Sequence, residues 1–221
     1  MGRKDVSYET VRNLMKPGDI IAFSGKGDVS DIIKWATRSG VSHVGTIFQS
    51  KLLINNDPQA GYFNQIIEST SLNGFSGVAI SRLSDRFVNY EGEIWWLPLR
   101  DDIRTKMDLT KFYDFLLHQE HKPYDLPQAL KAGIDTLDNL PFLHRLTTNK
   151  EDLTKFFCSE LIAAALEESE CIPKLNASEV TPIDLCMFNI YASDYFQLKG
   201  DAKTIKGFNS RDPAEWSSES L

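Results

Sequence analysis

The residue whose setting most suggests chemistry is Cys158, in the stretch TKFFCSELIAAAL. Leu161, Ile162 and Ala165 follow it at i+3, i+4 and i+7, which predicts a helix over 158–169 whose apolar face starts at the thiol. A thiol at a helix start meets unbonded backbone N–H groups and the positive end of the helix dipole. That setting favours the nucleophilic thiolate, and the same N–H groups suit a developing oxyanion. A small buried cysteine at a helix start is the plainer alternative. Cys171 and Cys186 have no comparable setting and are read as structural.

A thiolate nucleophile needs a proton carrier. Of the four histidines, His118, His121 and His144 have polar neighbours and are read as solvated. HQEH, at 118–121, matches neither helical zinc motif, so no metal site is expected there. His43 differs. It follows Gly40, Val41 and Ser42 and opens the strand HVGTIF, so its side chain stands at one rim of a sheet. Strand QIIES follows across a polar loop and carries Glu68. An antiparallel hairpin centred on Asn55 and Asn56 sets His43 opposite Glu68, close enough for a hydrogen bond. A carboxylate there fixes the imidazole tautomer and stabilises the imidazolium. Asp57, in the loop, is the rival for that role.

The elements that must position these groups are short. A helix over 8–15 stops before Pro17 and Gly18, and a strand over 19–24 follows. A helix is expected over 30–37, and strands over 43–48, 51–54, 65–69, 77–81 and 94–99. Helices follow over 109–119, 128–137, 158–169 and 182–188. Strands first and helices later predict an α+β fold, with an antiparallel sheet or half-barrel covered by helices on one side. Trp35, Trp95 and Trp96 line an acyl groove or simply fill the core. Residues 1–200 read as a single domain. Residues 201–221 are polar and read as a loosely held C-terminal tail, with Phe208 and Trp216 as its possible anchors.

Composition narrows the function classes. The chain has 221 residues and a net charge of −7, which argues against a nucleic-acid surface. No apolar run approaches the roughly 20 residues of a membrane helix, and the first ten residues lack the apolar core of a secretory signal. Three cysteines, an odd number with no CxxC pair, fit a reducing compartment, and the expected location is the cytoplasm.

Together, PGDIIAF, SHVGTIF, IIES, KPYD, FFCSELIAAAL and TPIDL resemble the permuted papain-like hydrolases of the YiiX and YebB type. These are circularly permuted relatives of the NlpC-type cell-wall peptidases, and lecithin retinol acyltransferase shares the arrangement. The resemblance spans roughly residues 16 to 188, and no motif covers residues 126–157, read as a helical insertion near the cleft. It implies a papain-like fold, with Cys158 as nucleophile, His43 as base and Glu68 as the orienting third member. It further implies Tyr124 and Asp125 near the cleft, grouped with Ser42 as substrate-binding, and Asp19 of the PGD turn as structural. The expected activity is that of a cysteine amidase or peptidase acting on a small peptide or acyl-containing substrate through a thioester, without metal or organic cofactor. An acyltransferase or lipid esterase, and a non-catalytic binding module, are the alternatives on the same scaffold.

Overall fold

The computed structural model describes residues 2–25, 40–52, 62–72, 75–122 and 157–217. The elements run β1 (Gly2–Asp5), α1 (Tyr8–Val11), β2 (Ile20–Gly25), β3 (His43–Leu52), β4 (Tyr62–Leu72), β5 (Phe75–Arg82), α2 (Leu83–Asn89) and β6 (Gly92–Leu97). Then come α3 (Asp101–Lys106), α4 (Leu109–Gln119), α5 (Phe157–Glu168), α6 (Pro182–Met187) and β7 (Asp194–Lys199). The architecture is α+β. The described strands form one open, seven-stranded sheet in the order β1-β7-β6-β2-β3-β4-β5.

That sheet is mixed, where the sequence suggests a purely antiparallel one. β1 pairs parallel with β7, while the other neighbours are antiparallel. β1 reads GRKD, four residues with no strand signal, and it is a strand because its backbone pairs with the sheet edge. In β7, DYFQLK, the buried position next to Tyr195 is Gln197, which breaks the apolar alternation that would reveal it.

Helices cover both faces of the sheet, not one. Ile20 to Phe23 are four consecutive buried residues, and alternation sends them to opposite layers. Ile20, Ala22, Val44, Ile67, Trp95 and Leu97 meet the face packed by α4, α5 and α6. Ile21, Phe23, Ile47, Ile66, Ile94 and Trp96 meet a second cluster with Tyr8, Val11, Met15 and Leu83. A strand that is apolar on both faces belongs between two layers. Trp95 and Trp96 are therefore core residues of the two layers and not a groove lining.

Local sequence sets the ends of the helices. Asp108 caps α4 by accepting from the backbone N–H groups of Thr110 and Lys111, at 2.9 and 3.1 Å. TPIDL is a capping box: the Thr181 side chain accepts from the Asp184 N–H, and Asp184 answers at the Thr181 N–H, with Pro182 opening α6. Ser159 Oγ donates to the Val180 carbonyl at 2.5 Å, tying α5 to the approach of α6. The expected helices over 30–37 and 128–137 lie outside the described residues.

The PGD turn is a fastening point. Gly18 takes a left-handed φ of 87°, which an L side chain resists. Asp19, buried, accepts from the N–H groups of Lys16 and Leu99 and from Trp96 Nε1, each at 2.9 Å, and pairs with Arg104. One carboxylate thus joins β2, the end of β6 and α3.

The segment after Gly200 is docked, at least to residue 217, and is not a loose tail. Phe208 stacks on Tyr191 and tilts against Tyr195, with centroids 5.6 and 4.5 Å away. Trp216 meets Phe188 edge-on at 5.2 Å. Asn209 accepts from the Tyr191 N–H and donates to the Tyr191 carbonyl, each at 3.1 Å. Phe208 and Trp216, the two expected anchors, are joined by Ile205 and Asn209, and the four are spaced too irregularly for any periodicity.

Candidate active site

His43 is the first residue of β3 and pairs with Phe23 of β2. Glu68 lies on β4. The β3–β4 ladder pairs Thr46 with Ile67 and Ile47 with Ile66, which sets Glu68 level with Gly45, two residues along from His43. The expected register, His43 directly opposite Glu68, is therefore corrected by two residues; a bulge between Ile47 and Gln49 also shifts the ladder. A slip of two keeps both side chains on one face, because the sheet repeats every two residues. The contact survives as a diagonal one, with His43 Nε2 2.6 Å from Glu68 Oε2. Gly45 makes room for it. A Cβ there would sit 2.6 Å from Ile66 Cδ1 and 3.1 Å from Glu68 Cβ.

Cys158 stands in the first turn of α5 as described, fully buried. α5 packs against β3 and β4 on the face that carries Val44 and Ile67. By alternation, His43 and Glu68 belong to the other face, with Phe23 and Ile66. His43 is the strand's first residue, and its ring comes within reach of the thiol at the sheet rim. Burial alone would strip the proton from this imidazole. Cys158 first, and Glu68 second, overcome burial and push its pKa from 6.5 up to about 9. Nε2 faces Glu68. The Cys158 side chain acts on the ring by charge and by a side-chain hydrogen bond.

Glu68 is itself buried. Burial would raise its pKa, but Arg86 above all, and then His43, hold it below the ordinary carboxylate range. Arg86 Nη2 donates to Glu68 Oε2 at 3.2 Å, and Arg86 Nε lies 2.7 Å from Oε1 as an ion-pair contact. The guanidinium covers the rings of Phe23 and Tyr90 at 5.4 and 5.5 Å. The Phe23 ring also packs against the His43 ring, with centroids 5.4 Å apart.

The structure thus brings Cys158, His43 and Glu68 into one cluster. Ser42 lies beside it, but its buried hydroxyl accepts from the Gly25 N–H at 3.1 Å and contacts the Phe23 carbonyl at 3.4 Å, pinning β3 to β2. Tyr124, Asp125, Asp57, Trp35 and His144 lie outside the described residues. His118 and His121 are exposed. Among the described residues, no group of three or more His, Cys, Asp or Glu side chains could hold a metal ion. No described helix is long and apolar enough to cross a membrane.

Sequence reasoning missed Arg86. A signal was present: Leu83, Arg86, Phe87 and Tyr90 stand at i, i+3, i+4 and i+7, a helical stripe with an arginine inside it. A cation on an apolar stripe requires a buried carboxylate. The charge disguised the stripe, and α2 was not foreseen.

Neither any family model nor any curated protein matches the chain.

Proposed function

We propose that the protein is a cysteine hydrolase of the amidase or peptidase class, built on a permuted papain-like scaffold. The observation that carries the proposal is the His43 ring set between the Glu68 carboxylate at 2.6 Å and the Cys158 thiol, which together keep the ring protonated up to about pH 9. An imidazolium beside a thiol at a helix start is the resting arrangement a thiolate nucleophile needs.

In the proposed cycle, the Cys158 sulfur attacks the carbonyl carbon of an amide or ester. The carbonyl oxygen takes up the negative charge, facing the unbonded N–H groups at the helix start. The carbon–nitrogen or carbon–oxygen bond breaks as His43 gives its proton to the leaving amine or alcohol. The thioester at Cys158 is then attacked by water, whose proton passes to neutral His43. The acid product departs, and the thiolate–imidazolium pair is restored. Glu68 holds the ring and balances its charge throughout. The protein's order His, Glu, Cys along the chain is no obstacle, because such a site depends on geometry and not on sequence order. Reduced, buried cysteines suit a cytoplasmic setting.

The test is a panel of peptide amides and acyl esters offered to the wild type, Cys158→Ala and His43→Ala. Turnover by the wild type alone supports the proposal. Products carrying the acyl group on a second acceptor would convert it to acyl transfer. Turnover by Cys158→Ala, or tight binding with no turnover by any form, would reject it.

A further inference from the structure

Arg86 stands one contact behind the cluster, and the sequence motifs do not call for it. Four ionisable groups follow one another through the interior: the Cys158 sulfur, the His43 ring, the Glu68 carboxylate and the Arg86 guanidinium. If all four are ionised, their charges alternate and sum to zero. Without the last, the cluster holds a net negative charge in a site where Glu68 is fully buried. A dry interior relieves such an imbalance by taking up a proton, and the carboxylate is the natural acceptor. A protonated Glu68 no longer stabilises an imidazolium.

Arg86 is held for this task. Its guanidinium rests on Phe23 and Tyr90, and Phe23 also supports the His43 ring. Lys199 of β7 donates to the carbonyl of Phe87 and, at 2.8 Å, to that of Tyr90, fixing the C-terminal end of α2. Among the described residues, the other titratable groups near the cluster are Tyr90, whose hydroxyl burial keeps neutral, Cys186, which burial and then the nearby Cys158 keep protonated, and Glu93, which is paired with Lys203 at 2.6 Å. None supplies a cation to Glu68.

We propose that Arg86 is a positioning residue: its guanidinium keeps Glu68 ionised, and Glu68 in turn keeps the proton on His43 and the ring aimed at Cys158. This inference rests on reading the cluster as a cysteine-nucleophile site, but its test does not require turnover.

The experiment follows the His43 ring by NMR on the full chain with labelled histidine; the missing signal in His43→Gln makes the assignment. The wild type should titrate near pH 9. Arg86→Lys keeps a cation and should stay close to the wild type, though it loses the two-point contact. Arg86→Gln keeps a donor and loses the charge, so its midpoint should fall towards the ordinary 6.5. At pH 8 even a fall of one unit takes the imidazolium from about nine-tenths to about one half. An unchanged midpoint in Arg86→Gln overturns the proposal. A wild-type measurement stands beside it in case the variant does not fold: the Glu68 carboxyl carbon should report an ionised group at pH 7, and a protonated Glu68 there overturns the proposal by itself. If His43 responds to Arg86 as stated but Cys158 takes up no electrophile, the positioning role stands and the hydrolase reading falls.

Discussion

Replacing Cys158 by alanine should release the proton from His43. The rise from 6.5 to about 9 favours the imidazolium by about 3 kcal/mol, at roughly 1.4 kcal/mol per pH unit. Burial opposes that rise, and Cys158 is the largest influence in its favour, ahead of Glu68. With the sulfur gone, Glu68 alone must offset burial, and the titration midpoint should drop by at least one unit. The sign for stability follows. A histidine whose folded pKa is raised contributes stability that is fully present below pH 6.5 and is lost as pH climbs through about 9. The wild type should therefore lose up to about 3 kcal/mol across that window. Cys158→Ala should lose less, and lose it at lower pH. Urea unfolding of both proteins at pH 6 and pH 9, with NMR titration of His43, measures the two quantities. A His43 midpoint that stays near 9 in Cys158→Ala would refute the reasoning, because it would mean that the thiol does not act on the ring.

Two further predictions concern the supports of the site. Glu68→Gln keeps a hydrogen bond to His43 but leaves the Arg86 charge buried without its partner; stability should fall by about 3 kcal/mol, and turnover by a smaller factor than in Cys158→Ala, both read from unfolding curves and rate assays. Gly45→Ala drives a methyl group to 2.6 Å from Ile66 Cδ1 and 3.1 Å from Glu68 Cβ, so it should cost about 2 kcal/mol and displace the carboxylate, lowering the His43 midpoint with it.

The groups of the site stood out in the sequence because their signals are local. Cys158 heads an apolar helical stripe, and His43 and Glu68 sit at marked places on two β-branched strands. Helix α4 matched its expected span because one cap and two apolar residues on one face define it. The register of the hairpin differs because its pairing is not centred on Asn55 and Asn56: next to the loop the ladder is three residues out, and the bulge after Ile47 takes back one, so the net shift of two leaves both side chains on the same face. What escaped the sequence is what depends on distant partners. β1 is a strand only because β7 lies beside it. Phe208 and Trp216 were legible as anchors of the segment after Gly200, but Ile205 and Asn209, which complete its docking, were not. Arg86 on α2 has its partner, Glu68, on another element, β4. The second layer of core was also missed, although the unbroken apolar run IIAF foretells a strand covered on both faces.

The measurement that bears most directly on the central claim is competition among the three thiols for one electrophile. Cys158, Cys171 and Cys186 form no disulfide and are all buried, so burial does not rank them. For Cys171 and Cys186, burial pushes the pKa up, which makes each a poor nucleophile at neutral pH. Limited labelling of the folded protein with iodoacetamide at pH 6 to 7, read by peptide mass, should therefore modify Cys158 well ahead of the other two. The preference should vanish in His43→Ala. Equal labelling of all three cysteines, or a Cys158 preference that persists without His43, would contradict the account of a thiolate held by its imidazolium.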